Sequence, residues 1–384
     1  MLRITHIITG LNTGGAENML YKLVRQQHGM SCHCSVISLL PPGPVAQRIE
    51  QLGVPVESLY MRRGLPGPRA FLRLVALLRS LRPQIVQTWM YHADLLGGLA
   101  TLFTGRPPVV WSIRQSDLSP QHQKRVTLLT IRACARLSHW LPARVVSNST
   151  AGRDAHVAFG YARAPMRVIA NGFDTGELQP DAAARAALRR ELGLTDDTLL
   201  IGMVARYHPQ KDHVTFARAA GLFVRTHPQV HFVLCGDGIN ADNATLVGWL
   251  EREGASTQTH LLGRRDDIKR LNAAFDIATL TSSFGEGFPN IIGEAMACGV
   301  PCVATDVGDS GAIIGDTGIT APARDPAALA TAWAQLIDAG PEERQRLGAR
   351  ARERILQHYS LRAITQQFEQ LYAGLSTPGA QETT

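Results

Sequence analysis

Two glutamates stand eight positions apart in one of the least polar stretches of the chain, TSSFGEGFPNIIGEAMACGVPCVATD. Glycines flank the first, Glu286, and an apolar run surrounds the second, Glu294. A carboxylate held among apolar residues needs hydrogen-bond donors, because burying an unpaired charge is costly. A ligand with hydroxyl groups would supply donors to both. The alternative is that Glu286 caps the following helix and that Glu294 is an ordinary solvated helix residue.

Two cations, Arg206 and Lys211, lie five positions apart in GMVARYHPQKDHVTFARAA, after an apolar run that predicts a strand. A pair of cations at such a position can hold phosphate oxygens through charge-assisted hydrogen bonds. Because the acid-bearing stretch belongs to the same half of the chain, the pair favours a phosphate site there. The alternative is a solvated pair on the surface.

The elements around the glutamates form a strand–loop–helix unit. FDIATLTS predicts a strand, SFGEGF the loop at its carboxyl end, and PNIIGEAMAC a helix with Pro289 in its first turn and Gly299 as its stop. In open parallel sheets, ligands bind outside the carboxyl ends of the strands, where glycines let backbone N–H groups approach. Gly285 and Gly287 therefore place Glu286 at a predicted ligand position.

Apolar runs and helical patterns alternate along both halves of the chain, which predicts βαβ units and parallel sheets. A length of 384 residues exceeds the usual size of one domain. The predicted fold class is α/β, with two doubly wound parallel-sheet domains. The boundary is expected near VIANGFDTGEL, which gives an N-terminal domain of residues 1–168, a C-terminal domain of 169–359 and a disordered tail of 377–384.

The two halves of the chain differ in charge. Residues 1–170 carry 20 Lys and Arg against 6 Asp and Glu, a net charge of +14, whereas residues 171–384 carry 19 against 26, a net charge of −7. Two predicted helices of the first half, in GPRAFLRLVALLRSLRP and QKRVTLLTIRACARLSHWLPAR, combine an apolar face with a basic face. The surplus favours an anionic partner. For either helix alone, ordinary solvated arginines are the alternative.

The sequence offers no obvious metal site. It contains no D-x-D motif, and its six cysteines show neither a CxxC pair nor zinc-ligand spacing. We therefore expect reduced core thiols, no metal and no cofactor. The N-terminal stretch lacks a long apolar segment with a cleavage site, and no apolar run reaches spanning length, so we expect a cytoplasmic protein.

The stretch from Glu286 to Glu294 resembles the E-x7-E motif of the retaining glycosyltransferases of family four. Three other stretches strengthen the resemblance: VIANGFD is similar to the N-G-V-D signature, GMVARYHPQKD to G-R-x-x-x-x-K-G, and LNTGGAENML to the family's glycine loop. The resemblance covers almost the whole chain. It implies the GT-B fold, in which two Rossmann-like domains face each other across a cleft, and a C-terminal helix, here about 360–376, that crosses back to the first domain.

The resemblance implies that the second domain binds a nucleoside-diphosphate sugar as substrate. Glu286 and the backbone amides of Gly287 and Phe288 would contact the donor sugar, and Glu294 would accept hydrogen bonds from the ribose hydroxyls. The other residues implied in donor binding are Gly14, Gly15, Asn171, Gly285, Pro289, Asn290 and Ile291.

The resemblance also implies how the reaction is catalysed. Family members retain the anomeric configuration through an oxocarbenium-like transition state, in which charge builds on the leaving diphosphate. Arg206 and Lys211 match the basic pair that would stabilise this charge in place of a metal. Asp212 stands where the family has glycine, which leaves the conformation of this loop open.

The first domain departs from the family pattern at a histidine that contacts the donor sugar. Arg114, in VVWSIRQSD, occupies that position, and His92, in VQTWMYHADLLGG, lies at the carboxyl end of the preceding predicted strand. Both are candidate catalytic residues. Arg114 could instead bind a phosphate or an acidic acceptor group, and His92 could be a helix cap or a core residue.

We therefore predict a retaining, metal-independent hexosyltransferase that acts on a glycan or lipid-linked acceptor in cell-surface polysaccharide or lipopolysaccharide assembly. The basic N-terminal domain would bind the acceptor and an anionic membrane surface, which places the protein at the inner face of the cell membrane. Nucleic acid is the competing anionic partner, but no nucleic-acid-binding signature occurs, so none is predicted. The alternatives are a sugar-nucleotide epimerase of the same fold, which the E-x7-E spacing disfavours, and a catalytically silent GT-B module that binds nucleotide sugars or glycans as a scaffold.

Overall fold

The computed structural model describes residues 1–61, 67–121 and 123–376. The chain divides into two compact units, and we describe each by itself. Unit 1 comprises Met1–Gly172 together with the C-terminal helix from Leu361, and unit 2 comprises Phe173–Ser360. The division lies close to the predicted boundary after residue 168. The predicted disordered tail, 377–384, lies outside the described residues.

Unit 1 contains a seven-stranded sheet with the strand order β3-β2-β1-β4-β5-β6-β7, and neighbouring strands are parallel. Its strands are short apolar runs with mostly buried residues, as expected for parallel strands covered on both faces. The strands are β1 (Leu2–Ile8), β2 (Cys32–Ser38), β3 (Val56–Ser58), β4 (Ile85–Trp89), β5 (Val109–Ile113), β6 (Arg144–Ser147) and β7 (Met166–Val168).

Unit 2 contains a six-stranded sheet with the order β10-β9-β8-β11-β12-β13, again parallel throughout. The two sheets confirm the predicted pair of parallel-sheet α/β domains. The strands of unit 2 are β8 (Leu199–Val204), β9 (Val230–Cys235), β10 (Thr259–Leu261), β11 (Ile277–Leu280), β12 (Cys302–Thr305) and β13 (Ile319–Ala321).

Helices connect the strands, and several begin at the Asp, Asn or Ser caps that the sequence supplies, among them Ser149, Asp181, Asn243 and Asp325. A 3₁₀ turn (Pro209–Lys211) follows β8, and a π-helical turn (Ile355–Tyr359) precedes the last helix. The α-helices are α1 (Gly15–Gln27), α2 (Pro44–Glu50), α3 (Pro68–Leu81), α4 (Tyr91–Thr101), α5 (Arg125–Leu137), α6 (Thr150–Phe159), α7 (Ala182–Glu191), α8 (His213–Val224), α9 (Ala244–Glu253), α10 (Ile268–Ala274), α11 (Asn290–Ala297), α12 (Ser310–Ile314), α13 (Pro326–Asp338), α14 (Gly340–Arg354) and α15 (Leu361–Ser376).

Both faces of the first sheet are covered. Ile4 and Ile8 pack into a cluster with residues of α1, α2 and α15, whereas Ile7, which points to the opposite face, packs with residues of α3 and α4. Ile364, Phe368 and Tyr372 bring α15 into the first of these clusters. The C-terminal helix therefore belongs to the core of unit 1, although it follows unit 2 in the sequence.

Each sheet reverses its strand order at one point. In unit 1 the chain starts at the central strand β1, runs outward through β2 and β3, and returns to β4 on the other side of β1. In unit 2 the same reversal occurs between β8 and β11. At such a switch point the loops leave the two central strands in opposite directions and open a crevice at their carboxyl ends. The loops after β1, β4, β8 and β11 hold most of the predicted site residues.

The six cysteines are buried and free of disulfide bonds, as predicted for core thiols. Burial raises the pKa of Cys34 and of Cys298 to about 12. No helix in the described ranges is both long and apolar enough to span a bilayer.

Three of the histidines that the structure describes are buried, two of them in unit 1 and one in unit 2. Burial lowers the pKa of His6 to about 3 and that of His156 to about 4, and burial together with Lys211 lowers the pKa of His213 to about 4. His156 lies between the carbonyl oxygen of Gly152, 2.6 Å from its Nδ1, and the hydroxyl of Tyr91, 2.8 Å from its Nε2. The neutral ring suits this position, because it donates at one nitrogen and accepts at the other.

We expect acid to destabilise the protein through these histidines. Their folded pKa values lie below the unfolded value of about 6.5, so the unfolded chain binds more protons between about pH 6.5 and pH 4. The free energy of unfolding should fall by about 1 kcal/mol per buried histidine between about pH 7.5 and pH 5.5. Urea unfolding at both pH values measures this, and His156→Gln should reduce the pH dependence, whereas the exposed His139→Gln should leave it unchanged. Equal pH dependence in both variants would contradict the assignment.

Candidate functional site

The loops that follow β8 and β11 are bound to each other beside the switch point of unit 2. Lys211 donates a short hydrogen bond to Glu286 Oε1 and forms an ion pair with it, and Ser282 Oγ donates to the same oxygen at 2.6 Å. The side chains of Lys211 and Glu286 are only 17% and 7% exposed. Glu286 therefore does not cap the following helix. Ser282 was not predicted as a site residue, since a serine among many carries no sequence signal.

Backbone contacts fix the distance between these two loops. Thr281 Oγ1 donates to the carbonyl oxygen of Lys211 at 2.7 Å, and the Ser283 amide donates to that of Gln210 at 2.9 Å. These contacts fix the two backbones at a distance that lets the lysine side chain reach the carboxylate.

Arg206 occupies the same edge of the sheet, and no carboxylate of the described residues pairs with it. It follows β8 directly, between Ala205 and Tyr207, whose amides donate to the carbonyl oxygens of Cys235 and Asp237. Its side chain is exposed, and it forms no ion pair with any residue that the structure describes. The structure therefore places an unpaired guanidinium and a paired ammonium at the carboxyl end of the central strand.

Asp212 occupies the position at which the family resemblance calls for glycine. Its backbone lies in the left-handed region, with φ 49° and ψ 54°, which explains why glycine suits this position. Asp212 also caps α8, because its carboxylate accepts from the Thr215 amide at 3.3 Å and from Thr215 Oγ1 at 2.8 Å. The cap offsets the strain of about 1–2 kcal/mol for a side chain at positive φ. The loop thus keeps the conformation that glycine would permit.

Two glycines are required around Glu286. Gly285 has φ 70° and turns the chain before the glutamate. Gly308, in the loop after β12, has φ 65°, and a Cβ atom added there would lie 2.2 Å from the carbonyl oxygen of Glu286. The amide of the next residue, Asp309, donates to the carbonyl oxygen of Gly287 at 3.0 Å. The loop after β12 therefore supports the acid-bearing loop, a contact that only the fold creates.

The helix α11 begins one residue later than predicted. Pro289 is the N-cap rather than a residue of the first turn, and Asn290 is the first helical residue. The accessible stripe of α11 consists of Asn290, Ile291 and Glu294, which are half-buried, whereas Ile292 and the following apolar residues are buried. Glu294 is thus neither fully solvated nor in the core.

Phe288 places its ring in the core of unit 2. The ring stacks on Phe173 with centroids 6.0 Å apart and packs against Tyr359 at 5.7 Å. Only 8% of the residue is exposed. The ring therefore packs within unit 2, and the contact of the Phe288 amide with the donor sugar stays a prediction.

In unit 1, Gly14 and Gly15 form the start of α1 in the loop after β1. Gly14 is the N-cap with an extended backbone, and Gly15 is the first helical residue. A Cβ at Gly14 would lie 2.3 Å from the carboxylate of Glu17 in the first helical turn. Burial raises the pKa of that carboxyl group. The amides of a helix N-terminus can bind an anion, and Glu17 is the acid that would share this position with it.

His92 is the second residue of α4, the helix that follows β4. The N-cap of this helix, Met90, has φ 72° and ψ 154°, a conformation that is almost restricted to glycine and that costs about 1–3 kcal/mol. His92 is half-buried, caps no helix and makes no hydrogen bond to the described residues, and burial lowers its pKa. A neutral imidazole thus lies beside strained backbone at the switch point of unit 1.

Arg114 follows β5, the strand next to β4. Its guanidinium lies over the ring of Trp89 at 4.5 Å and donates from Nη1 to Asn171 Oδ1 at 2.8 Å. Its Nε and Nη2 atoms are buried and have no hydrogen-bond partner among the described residues. Burial lowers the pKa of Arg114 to about 10, so it stays charged at neutral pH. Arg114 and Asn171 are therefore brought together, whereas the sequence had suggested them separately.

A buried polar network, not predicted from the sequence, joins α15 to β4 and β5. Tyr372 on α15 donates to Gln87 Oε1, and Gln87 Nε2 donates to Ser112 Oγ at 2.8 Å. The negative charge of Asp94, on α4, raises the pKa of Arg114 and so partly offsets the effect of burial. Tyr372 lies far from these residues in the sequence, so no local pattern could have revealed the contact.

Both units of the chain are similar to known proteins. Residues 13–177 match the model described as Glycosyltransferase Family 4, and residues 198–339 match the model described as Glycosyl transferases group 1. The chain belongs to glycosyltransferase family four. It is therefore a glycosyltransferase, and the two parallel-sheet domains have the GT-B fold of its structural neighbours.

Among the described residues, no cluster of three or more His, Cys, Asp or Glu side chains could hold a metal ion.

Individual relatives are similar over most of their length. EpsF of Bacillus subtilis is 27% identical over 327 residues, which cover 79% of each chain. The UDP-Gal:alpha-D-GlcNAc-diphosphoundecaprenol alpha-1,3-galactosyltransferase of Escherichia coli is 26% identical over 250 residues, which cover 64% of each chain. The structure of Anabaena HepE in complex with UDP has a TM-score of 0.85 at 24% identity, over 97% of this chain and 100% of HepE. A HepE complex with UDP-glucose has a TM-score of 0.80.

We expect Gly308→Ala to impair glycosyl transfer more than tenfold. The added Cβ would displace the Glu286 carbonyl, and the positive φ would add strain, at a combined cost of about 1–3 kcal/mol in stability. Gly248→Ala in α9 is the matched control, because a Cβ there meets no atom within 4 Å. Activity assays with thermal unfolding as a check on folding measure both variants. Wild-type activity in Gly308→Ala would show that the loop after β12 does not support the site.

Proposed function

We propose that this glycosyltransferase moves a hexose from a nucleoside-diphosphate sugar to a glycan or lipid-linked acceptor, with retention of the anomeric configuration and without a metal ion. The observation that carries the proposal is the Lys211–Glu286 ion pair beside an unpaired Arg206 at the switch point of unit 2. Phosphate-binding cations and a hydroxyl-binding carboxylate at one crevice suit a sugar nucleotide.

The cations would act on the leaving group. When the bond between the sugar and the diphosphate breaks, negative charge builds on the phosphate oxygen. Arg206 is free to bind the diphosphate directly, and Lys211 would bridge from Glu286 to the same group. Cations that are already in place stabilise this charge without reorganisation, which is why they can take the role of a divalent metal.

The carboxylates would orient the donor. Glu286 accepts from Lys211 and Ser282 through one oxygen, Oε1, so its second oxygen is left for a sugar hydroxyl. Glu294 lies on the accessible stripe of α11, where its carboxylate could accept from the ribose hydroxyls. The amides of Gly287 and Phe288 would complete the sugar site, supported by the loop that contains Gly308.

Unit 1 would supply the acceptor side and further donor contacts. His92, neutral and without a hydrogen-bond partner in the described chain, could bond a sugar hydroxyl in place of the family's histidine. Arg114 has two buried nitrogens, Nε and Nη2, without hydrogen-bond partners among the described residues, which suits an anionic group of donor or acceptor. Gly14 and Gly15 would present the N-terminal amides of α1 to the diphosphate.

The relatives suggest which substrates to test first. HepE has been crystallised with UDP and UDP-glucose, and the name of the Escherichia coli relative specifies a donor, UDP-galactose, and a diphosphoundecaprenol acceptor. We therefore propose a UDP-hexose donor and a lipid-linked acceptor in polysaccharide assembly. A lipid-linked acceptor would bring the enzyme to the inner face of the cell membrane, where the basic first half of the chain faces anionic lipid.

The first test is donor turnover without acceptor. UDP-, GDP- and ADP-sugars that raise the melting temperature are assayed for release of nucleoside diphosphate in excess EDTA. We expect slow release from one class of donor, and Lys211→Ala should abolish it while Lys269→Ala, an exposed lysine of unit 2, should not. Loss of activity in EDTA that a divalent cation restores would contradict the metal-free mechanism.

The same assay separates the enzyme from a scaffold. A catalytically silent module would bind the sugar nucleotide and raise the melting temperature, yet release no nucleoside diphosphate. Once an acceptor is found, proton NMR of the product would report the anomeric configuration. An inverted anomer would contradict the proposed retention.

Glu294→Ala should weaken donor binding by about 1–3 kcal/mol, because the ribose hydroxyls would lose a charged acceptor. Isothermal titration with the donor measures this loss of binding free energy. Titration with the bare nucleoside diphosphate, which also carries the ribose, should show an equal loss. Glu251→Ala on the exposed face of α9 is the control and should bind like wild type. Unchanged affinity in a folded Glu294→Ala variant would remove this residue from the ribose site.

A further inference from the structure

The exposed side of α5 combines basic and apolar residues. Two residues that flank the helix extend this side. Lys124 directly precedes α5, and Trp140 follows it in a turn, in which the Trp140 amide donates to the Leu137 carbonyl oxygen at 3.2 Å. We define the α5 face by its exposed residues, which are Lys124, Arg125, Val126, Leu129, Arg132, Arg136 and Trp140.

The apolar members of the α5 face are unusually accessible. Leu129 and Trp140 are each 61% exposed, and Val126 is 39% exposed. Leu129 lies in the middle of the outer stripe, four residues after Arg125 and three before Arg132, so these side chains are neighbours on the helix surface. Large apolar side chains grouped on a surface indicate a binding site more often than scattered ones do.

The charged Lys, Arg, Asp and Glu side chains in and around α5 are all positive. Residues 118–153 contain six Lys and Arg and neither Asp nor Glu. Lys124, Arg125, Arg132 and Arg136 form no ion pair with any residue in the described ranges. Their charges are therefore available to an external anion.

The other basic helix of unit 1, α3, differs in this respect. Arg73 lies 3.8 Å from Glu57, and Arg79 donates from Nε to the carbonyl oxygen of Phe103 at 3.1 Å. Phe103 in turn packs edge-on against Phe71 at 5.9 Å. Part of the basic face of α3 is thus bound within the protein, whereas the cations of α5 are not.

We propose that the α5 face is the surface by which the protein binds an anionic lipid bilayer. Leu129, Val126 and Trp140 would enter the boundary between headgroups and acyl chains, where tryptophan is favoured. The arginines would lay their methylene stems along the same boundary and place their guanidinium groups at the lipid phosphates. The inference extends the membrane association in the proposed function, but it depends on this surface alone and not on the donor site.

A bilayer fits this surface better than a protein partner does. The cores of protein interfaces are depleted of charge, and each buried arginine would need a matching acid placed opposite it. Here cations and apolar side chains alternate along one short helix. A bilayer accepts this alternation, because anionic headgroups and acyl chains are available beneath every residue of the stripe.

Binding of the full-length protein to vesicles tests the proposal. Flotation with phosphatidylcholine vesicles, with and without phosphatidylglycerol, should show binding only to the anionic ones and release at high salt. Replacing Arg125, Arg132 and Arg136 by Gln should weaken binding about a hundredfold, since each basic residue contributes about fivefold at such a surface. Leu129→Gln with Trp140→Gln should weaken it at least tenfold at unchanged charge. All of these side chains are exposed, so folding should persist.

Two control variants separate this face from other exposed apolar residues. Leu222→Gln, at a residue of unit 2 that is 42% exposed, should bind vesicles like wild type. Leu72→Gln, at a residue of α3 that is 65% exposed, compares the two basic helices and should have the smaller effect. An equal or greater loss in Leu72→Gln would assign the contact to α3 and overturn the proposal.

Trp140 provides a direct signal of insertion. Of the five tryptophans, Trp89, Trp111 and Trp333 are fully buried and Trp249 is half-buried, so Trp140 is the one that brominated lipid should quench. Trp140→Phe should still float with vesicles but lose this quenching. Quenching that persists in Trp140→Phe would overturn the proposed insertion.

The outcomes distinguish this inference from the proposed function. Failure of the wild-type protein to bind anionic vesicles, or equal flotation of the Leu129/Trp140 variant, would overturn the inference. A concentration-dependent dimer that this variant loses would assign the face to self-association and overturn it as well. Release of nucleoside diphosphate should stay at the wild-type level in every α5 variant. A protein that binds vesicles through α5 but turns over no donor would overturn only the proposed function.

Discussion

The ion pair between Lys211 and Glu286 joins the two loops that border the switch point of unit 2. Both side chains are largely buried, so removing one partner would leave an uncompensated charge and cost about 3–5 kcal/mol. Neighbouring residues support this pair. Ser282 donates a hydrogen bond to the carboxylate, and Thr281 donates one to the backbone carbonyl of the lysine. Gly308 leaves room for the backbone carbonyl of the glutamate. An ion pair built in this way positions charge for a ligand rather than adding much stability. That is the property expected of a site for a charged, hydroxyl-rich substrate.

Unit 1 also holds a buried cation, Arg114, but without an ion pair. Arg114 is held by the face of Trp89 and by Asn171, and Asp94 contributes negative potential. A cation over an aromatic ring keeps its charge and some of its hydrogen-bonding capacity, since the ring accepts no classical hydrogen bond from it. The Nε and Nη2 atoms of Arg114 have no hydrogen-bond partner among the described residues, which supports the proposed binding of an anionic group there.

The charge asymmetry of the sequence has a structural counterpart. The surplus of +14 over residues 1–170 is not spread evenly, because the stretch 118–153 lacks acids altogether. In unit 2 several cations pair with acids, as in the contact of Arg189 and Arg185 with Asp276. Unpaired cations in unit 1 leave a long-range field, whereas paired ones in unit 2 mainly fix the structure.

The sequence by itself determined the fold class and the family, and it supplied the candidate residues of the proposed site. Alternating apolar runs and helical patterns sufficed for two parallel-sheet domains, and the spacing of Glu286, Glu294, Arg206 and Lys211 sufficed for the family, because local patterns carry both kinds of information. Only the tertiary structure decided which of these groups touch. The Lys211–Glu286 pair, the support from Gly308 and the contact of Tyr372 with Gln87 join residues far apart in the chain, and no periodicity encodes them. The structure likewise decided that Asp212 can replace a glycine, since its left-handed backbone is offset by a helix cap that only the folded loop provides.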